Sequence, residues 1–404
     1  MAMVDQLERV LAPIGSHQFE IDPYPTYAYL RSQASVHRDE AAPMWHVVSF
    51  REVHSALRDS RLAAERTCLF LSEEQRQDFA ALARILPDMM VFADPPRHTR
   101  LRGLVARAFT PRVVQGLRGR VQAVVDDRLT HPAKVGTLDV IADLAIPLPT
   151  TIIAELLGVP ETDRDSLKAW SDDFAAFIGG PVDHDGVVRA DRAVHELSIY
   201  FGQAVTRWRR EPGDNLISRL ISAEEQGDTL TAAELLATCV ILLVGGNETT
   251  TNLIGNGLLA LLRHPDQLQR LRNDPALIGQ AIEELLRYDS PAQMTTRLAM
   301  DDLALGGERI GKGELIKLWL GAANRDPEQF PEPDRLDFER AENRHLSFGH
   351  GIHFCVGASL ARIEGQVALA TLVARFPNLT LTGEPLEYHG TQVFRALKRL
   401  QVTL

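Results

Sequence analysis

The segment that most constrains this chain is the decapeptide FGHGIHFCVG, which runs from Phe348 to Gly357. It holds one cysteine, Cys355, in the frame F-x-x-G-x-x-x-C-x-G, with Gly351 at the second fixed position. At ordinary residue frequencies, about one chain in a thousand of this length contains the frame by chance. The pattern predicts a tight glycine loop that holds a thiolate and lets the backbone approach a large, flat partner closely.

Cys355 needs local stabilisation to act as a thiolate, because an ordinary cysteine keeps its proton at neutral pH. The following residues, 356 to 376, predict a helix, since apolar residues recur at steps of three and four. The cysteine therefore lies just before a helix N-terminus, whose free N–H groups and dipole favour negative charge. A haem iron ligated by a thiolate is one centre built in this way. A buried structural cysteine in a glycine-rich loop is the alternative.

The composition is that of a globular protein with ample material for a large core: 404 residues, 45% hydrophobic and 24% charged. No Ser/Gly-rich linker, low-complexity tract or internal repeat divides the chain, which favours one compact unit. Cys68, Cys239 and Cys355 lie far apart and predict no disulfide framework. The N-terminus lacks the pattern of a signal peptide, and no apolar run is long enough to predict a membrane span. We therefore expect a cytoplasmic protein.

The charge distribution excludes general nucleic-acid binding, since the formal net charge is −11. One segment opposes this average, because residues 97–120 contain seven arginines and no acid. A solvated helix face and a basic patch for an anionic partner are both consistent with that segment, and different arginines can serve each.

The longest predicted helix runs from Thr231 to His264, with Thr231 and Glu234 forming a capping box at its start. Its centre reads GGNETTT, and two adjacent glycines cost about 1 kcal/mol each inside a helix. Thr249 is expected to bond back to a carbonyl one turn earlier. A helix opened locally at Gly245 leaves room for a small ligand, and a simple glycine kink is the alternative.

Glu248 and Thr249 form an adjacent acid–alcohol pair within the same segment. An alcohol can hold a water molecule that delivers protons, and a carboxylate can relay those protons from solvent. The pair therefore predicts proton delivery to a reacting small molecule. The alternative is a glutamate that only makes a salt bridge.

Taken together, these motifs resemble the cytochrome P450 family of haem-thiolate monooxygenases, and the resemblance runs from about residue 43 to the C-terminus. It implies a mainly α (α+β) fold, a helix-rich triangular prism with a minor β-rich region. Haem b is expected between the long central helix and the helix after the cysteine loop. A single domain, 1–404, is implied, with a partly β-rich segment (1–60), a helical core (61–290), strands, meander and cysteine loop (291–357), and a C-terminal helix and strands (358–404).

The resemblance also assigns site residues. It makes Cys355 the axial iron ligand, Thr249 and Glu248 the catalytic pair, and Gly245 the neighbour of bound O2. Further haem contacts are expected at His98, Arg102, Arg297, His353, Phe348, Gly349, Gly351 and Gly357. For the first four of these, which match positions that bind the haem propionates, the alternative is a surface charge.

A buried charge network behind the haem is implied at Glu284, Arg287 and Arg335. The E-x-x-R spacing by itself is weak evidence, since surface helices contain it often. Substrate contacts are expected at Met89, Met90, Val91, Ile241, Val244, Ala292, Thr295, Val393 and Phe394. For each of these nine residues, plain core packing is the alternative.

The expected activity is insertion of one atom of O2 into an apolar or amphipathic small molecule, by hydroxylation or epoxidation, as in bacterial secondary metabolism. No G-x-G-x-x-G follows a strand, so electrons from NAD(P)H are expected through a ferredoxin reductase and an iron–sulfur ferredoxin. We expect a monomer. A peroxide-driven peroxygenase or decarboxylase is the first alternative, and a non-catalytic haem-binding protein is the second.

Overall fold

The computed structural model describes residues 11–404, except residues 13, 41, 224–227 and 390 and the side chains of Cys68 and Pro111. The expected lack of a signal peptide concerns the first residues, most of which lie outside the described part. Cys239 and Cys355 are free thiols. The expectation of no disulfide at Cys68 lies outside the described side chains.

Most of the described chain is helical. The α-helices are His17–Ile21, Tyr24–Gln33, Phe50–Ala56, Glu73–Asp78, Ala80–Ile85, Arg97–Ala108, Pro111–Gly116, Arg118–Arg128, Pro132–Val135, Pro147–Leu157, Arg164–Ile178, His184–Arg210, Leu216–Ser222, Ala232–Arg263, Pro265–Asn273, Ile278–Tyr288, Leu320–Ala323 and Ala358–Arg375. Short 3₁₀ turns are Thr67–Leu69, Leu86–Asp88, Met90–Phe92, Glu161–Asp163, Pro275–Leu277 and Gly351–His353, and Val140–Ala145 is a π-helical segment.

The central helix, Ala232–Arg263, begins as its sequence predicts. The Thr231 hydroxyl accepts the Glu234 N–H at 3.2 Å, and the Glu234 carboxylate accepts the Thr231 N–H at 3.0 Å. Helical structure continues through Gly245 and Gly246, so the glycines do not break the helix. The Thr249 hydroxyl donates to the Gly245 carbonyl at 3.0 Å, which confirms the predicted bond to the preceding turn.

Among the residues that the structure describes, ten short strands form the minor β region: β1 Val36–Asp39, β2 Met44–Val47, β3 Leu62–Ala63, β4 Thr137–Asp139, β5 Thr295–Ala299, β6 Leu303–Leu305, β7 Glu308–Ile310, β8 Leu315–Leu318, β9 Thr380–Leu381 and β10 Gln401–Thr403. The largest sheet has the order β1-β2-β8-β5-β3, with β2 and β8 parallel. It joins the N-terminal strands to the segment after residue 294. A second sheet has the order β4-β10-β9, and β6 and β7 pair as a hairpin.

The core is built mainly from helices. Two segments, Val140–Leu157 and Ala232–Arg263, are long and apolar enough to cross a membrane by composition. Their most apolar 18-residue windows are 67% and 56% buried inside the fold, as expected for core helices. The fold therefore explains their hydrophobicity without a membrane.

A buried ion network ties the helix Ile278–Tyr288 to the irregular segment before the cysteine loop. Glu284 and Arg287 are both fully buried, and Arg287 donates from Nε and Nη2 to the two Glu284 oxygens at 2.8 Å each. Arg287 Nη1 also donates to the carbonyls of Asn324 and Pro333, at 2.9 and 2.8 Å. The pair thus satisfies backbone groups that would otherwise lack partners.

The third cation of this network is Arg340, so the expectation for Arg335 was wrong. Arg340 Nε lies 3.2 Å from both Glu284 oxygens, and its side chain is only 8% exposed. The Arg335 side chain is 56% exposed and bonds to Glu332. Only the Arg335 carbonyl takes part, as an acceptor from Arg287 and Arg340.

Replacing Arg340 by alanine should therefore destabilise the protein far more than the same change at Arg335. Arg340→Ala removes one cation from a buried carboxylate, and we expect a loss of about 2–3 kcal/mol in the free energy of unfolding. Arg335→Ala is the matched control and should stay within about 0.5 kcal/mol of the parent. Urea unfolding followed by circular dichroism measures both, and equal losses would contradict the assignment.

Candidate active site

A cavity of about 390 Å³ brings together the central helix, the cysteine loop and the helix Ala358–Arg375. Most of the residues predicted for the site line it: Cys355, Phe348, Gly349, Gly357, His98, Arg102, Arg297, His353, Gly245, Glu248, Thr249, Met90, Val91, Ile241, Val244, Ala292, Thr295 and Phe394. Motifs separated by more than 250 residues in the sequence thus meet around one space.

The cysteine loop is shaped by two glycines with left-handed backbone. Gly349 and Gly351 have φ of +70° and +72°, a conformation that other residues rarely adopt. A side chain at Gly351 would also place its Cβ 2.7 Å from the carbonyl oxygen of Leu57, so this glycine packs against the wall and does not line the cavity. The Cys355 N–H donates to the Phe348 carbonyl at 2.9 Å, which closes the loop.

The Cys355 thiol faces opposing influences. Burial raises its pKa, while backbone N–H groups of Gly357 and Ala358 and the charges of Arg102 and Arg362 lower it. The helix N-terminus therefore favours the thiolate as its sequence predicts, but the protein alone does not overcome burial. A metal cation at the sulfur deprotonates such a thiol outright.

The Arg362 guanidinium lies over the aromatic ring of Phe348, a residue of the cysteine loop. The guanidinium lies 4.6 Å from the ring centroid and donates to both oxygens of Glu283 at 2.7 and 2.8 Å. His345 contacts the same carboxylate at 3.2 Å. These contacts anchor the loop from the side opposite the cavity and keep a positive charge near the sulfur.

One edge of the cavity is strongly cationic. The rings of His98 and His353 lie 4.1 Å apart, and both nitrogens of His98 and Nε2 of His353 are buried without a hydrogen-bond partner. Burial and the positive charges of this edge lower the pKa of His353 to about 3. Burial also lowers the pKa of Arg297 to about 10, and that of Arg102 moves down for the same reason. Unpartnered donors and excess cations predict an anionic ligand here.

On the opposite wall, the central helix presents a flat surface with polar groups. A Cβ at Gly245 would meet nothing within 4 Å, so the helix faces open space there. Thr249 lies one turn later beside the cavity. Burial raises the pKa of Glu248, and Lys168 opposes this shift. Lys168 pairs with Asp172, which is 50% exposed, and the charge of Asp172 adds to the rise in the pKa of Glu248.

The remaining wall is largely apolar, and two of the predicted substrate contacts are absent from it. Met89 is fully buried in the helical core, and Val393 packs against a separate cluster near the N-terminal helices. Ile178 and Met294 line the cavity instead. The sequence signal for both is only an apolar residue beside an element end, which is too common to single them out.

Sequence reasoning also missed two charged residues in the wall. Arg66 lines the cationic edge, and Glu364 lies in the wall formed by the helix Ala358–Arg375. Burial raises the pKa of Glu364 to about 8, Thr250 of the central helix bonds to it, and Oε1 has no partner. An acid within an otherwise apolar helix face was the available signal for Glu364.

The residues present fit a haem. A thiol on a closed loop can ligate its iron, the cationic edge with unpartnered imidazole nitrogens can bind its propionates, and the glycine face leaves room for O2. Cys355, His98, Arg102, Arg297 and His353 are the groups that can hold it.

Comparison with known proteins agrees with this architecture. The family model "Cytochrome P450" matches residues 199–404. The chain is 39% identical over 396 residues to the "Biotin biosynthesis cytochrome P450" of Bacillus subtilis, covering 98% of this chain and 99% of that protein. It is 42% identical over 396 residues to the "Cytochrome P450 monooxygenase PikC" of Streptomyces venezuelae, covering 95% and 91%.

A solved structure shows the same fold. The crystal structure of P450BioI in complex with a hexadec-9Z-enoic acid ligated acyl carrier protein has a TM-score of 0.91 at 39% identity, covering 96% of this chain and 99% of that one. With identities of this size over almost the full length of the relatives, the chain belongs to the cytochrome P450 family of haem-thiolate monooxygenases.

Proposed function

We propose that this single-domain enzyme inserts one oxygen atom from O2 into an apolar or amphipathic small molecule in the cytoplasm, with Cys355 as the iron ligand. The observation that carries the proposal is the shared cavity of Cys355, the cationic edge and the Glu248–Thr249 pair. A bound haem with a thiolate ligand supplies the reductive cleavage of O2 and the transfer of one oxygen atom to the substrate.

Thr249 and Glu248 manage protons in this proposal. The Thr249 hydroxyl already donates to the Gly245 carbonyl, so its lone pairs are free to accept a hydrogen bond from water in the cavity. The raised pKa of Glu248 lets this carboxyl carry a proton nearer neutral pH than an exposed glutamate does. The charges of Lys168 and Asp172, which form an ion pair, also act on this carboxyl and shift its pKa in opposite directions.

An acidic ferredoxin, reduced by its reductase with NAD(P)H, is the proposed electron donor. Of the arginines in residues 97–120, Arg97 and Arg100 contact Glu234, and Arg120 forms a bidentate pair with Glu155. Arg107 and Arg112 are exposed and remain available to a partner. Exposed arginines beside internally paired ones support the proposal of a basic patch for an acidic partner.

The peroxide-driven alternative makes the acid–alcohol pair dispensable, because hydrogen peroxide brings its own protons and electrons. The pair lies beside the cavity here, which favours the O2-dependent reaction. Turnover of a broad substrate panel with ferredoxin, reductase and NAD(P)H tests the proposal directly. Absence of any product under these conditions would support the non-catalytic alternative.

Cys355→His should keep part of the haem but lose the red shift of the ferrous–carbon monoxide band that a thiolate ligand produces. The reason is that imidazole donates less electron density to the iron than sulfur does. Absorption spectra of the reduced, carbon monoxide-treated protein measure the band. Cys239→Ala, at a buried cysteine of the central helix away from the cavity, is the control and should retain it. A red-shifted band in Cys355→His would refute the ligand assignment.

Thr249→Ala should uncouple electron use from product formation. Without the hydroxyl, the water that delivers protons loses its anchor, and we expect product per NAD(P)H to fall about tenfold while hydrogen peroxide is released. Thr206→Ala is the matched control, because Thr206 makes the same bond to the Gly202 carbonyl, at 2.9 Å, on a surface helix. If hydrogen peroxide supports turnover equally well and Thr249→Ala changes neither rate, the peroxide-driven alternative is correct.

Phe394 and Ala292 form the part of the cavity wall that we call the roof. A backbone hydrogen bond between two loops holds this roof in place. The Val393 N–H donates to the Gly179 carbonyl at 3.2 Å, and Phe394 forms an isolated antiparallel bridge with Ala292. A Cβ at Gly179 would lie 3.2 Å from the Phe394 ring and 3.0 Å from the Ala175 carbonyl oxygen. Gly179 has φ −77° and ψ −11°, which any residue adopts, so a substitution there acts through contacts alone.

Gly179→Ala should narrow the cavity by pushing the Phe394 ring inward. Making room for an extra methyl group in packed surroundings costs about 1–3 kcal/mol. Because the displaced ring takes space from a large ligand, we expect about tenfold weaker binding of the bulky azole clotrimazole and unchanged binding of the small imidazole. Spectral titration measures both affinities. Gly202→Ala is the control, since a Cβ there meets nothing within 4 Å. The double change with Phe394→Ala should restore clotrimazole binding, and failure to do so would contradict the contact.

A further inference from the structure

Arg66 places a third guanidinium group at the cationic edge of the cavity. It is partly buried and lines the same space as Arg102 and Arg297. Burial lowers the pKa of Arg66 to about 9, and the charge of Arg297 lowers it as well. Arg66 therefore belongs to one electrostatic cluster with these groups, although it lies far from them in the sequence.

Contacts with neighbouring residues hold the Arg66 side chain at the cavity. The Arg66 Nη1 donates to the Ala64 carbonyl at 2.8 Å, and its guanidinium lies 5.1 Å from the centroid of the Phe92 ring. The Asp94 carboxylate accepts the N–H groups of Ala64 and Glu65 at 3.0 and 2.9 Å, which fixes the backbone beneath the arginine. Nη1 thus bonds to the protein, and the remaining guanidinium nitrogens, Nε and Nη2, are available to bind a ligand.

Charge balance indicates what that ligand carries. In the part of the chain that the structure describes, Asp94 is the one carboxylate that shifts the pKa values of Arg66, Arg297 and His98. Arg66, Arg102 and Arg297 thus exceed this carboxylate by two positive charges. A ligand edge with two carboxylates matches this excess, and haem b has two propionates.

We propose that Arg66 binds a haem propionate as the third arginine of this edge, and thereby retains the cofactor and raises its reduction potential. The inference rests on the proposed function, because it requires haem in the cavity. An arginine fork suits a carboxylate, since it offers two parallel donors to two oxygens. A nearby positive charge also favours the ferrous state, which carries one positive charge less than the ferric state.

The experiment compares Arg66→Gln and Arg66→Lys in the ferric holoprotein. Transfer of haem to excess apomyoglobin should be about tenfold faster in Arg66→Gln, as the loss of one charge-assisted hydrogen bond implies. The ferric/ferrous midpoint potential should become more negative. Arg66→Lys keeps the charge without the fork, so its potential should stay near that of the parent while haem transfer is intermediate.

Arg76→Gln is the control, since Arg76 is 40% exposed and pairs with a glutamate that is 89% exposed. It should match the parent in both measurements. Circular dichroism establishes that each variant is folded, and Arg66→Lys preserves the test if Arg66→Gln does not fold.

A second titration separates the proposed propionate contact from a substrate contact. Dodecanoic acid and its methyl ester are titrated into the parent and Arg66→Gln. If haem transfer and potential are unchanged while only the acid binds more weakly, Arg66 serves a substrate carboxylate and the proposal is wrong. If all four measurements are unchanged, Arg66 is only part of the wall and the proposal is also wrong. A parent without the red-shifted carbon monoxide band would instead refute the proposed function itself.

Discussion

The position of the Cys355 sulfur depends on contacts between its loop and the rest of the fold. Two residues with positive φ, Gly349 and Gly351, turn the backbone, and one hydrogen bond from Cys355 to Phe348 closes it. The Phe354 N–H also donates to the Gly351 carbonyl at 3.1 Å, and two contacts come from outside the loop: the Leu57 carbonyl against Gly351 and the Arg362 guanidinium on the Phe348 ring. The network around Glu284 in turn orders the irregular segment that leads into the loop. A buried ion pair rarely adds net stability, but here it supplies partners to backbone groups that have no regular structure.

The cationic edge of the cavity and the wall formed by the central helix differ in their electrostatics. The edge holds arginines and neutral imidazoles. Burying the arginine charges costs free energy, and the binding of an anionic ligand offsets that cost. The wall keeps a carboxyl with a raised pKa beside a hydroxyl, away from the arginine cluster. This separation matters because a nearby arginine would lower the pKa of Glu248 and hold it ionised.

How far the sequence predicts the site depends on the regularity of the local backbone. The capping box at Thr231 and the bond from Thr249 to Gly245 follow from helical spacing, and both were predicted. Arg335 and Arg340 lie in a proline-rich segment without periodicity, where the sequence does not show which side chain turns inward. Val393 and Phe394 lie in an irregular segment with a single isolated bridge, where the sequence does not show that Phe394, rather than Val393, faces the cavity. Arg66 has no motif at all, and only the tertiary fold brings it to Arg297.

The cavity wall combines parts that are held by hydrogen bonds with parts that are held mainly by packing. The cysteine loop and the central helix are each held by several hydrogen bonds, whereas imidazole nitrogens of the cationic edge lack partners in the protein. The roof near Phe394 is held by the backbone bond between Val393 and Gly179 and by van der Waals contact with Gly179. A single substitution at such a contact changes the shape of the cavity at a cost of about 1–3 kcal/mol. In the proposed function, substrate choice therefore rests on apolar side chains such as Phe394, whose placement follows from tertiary packing rather than from any motif.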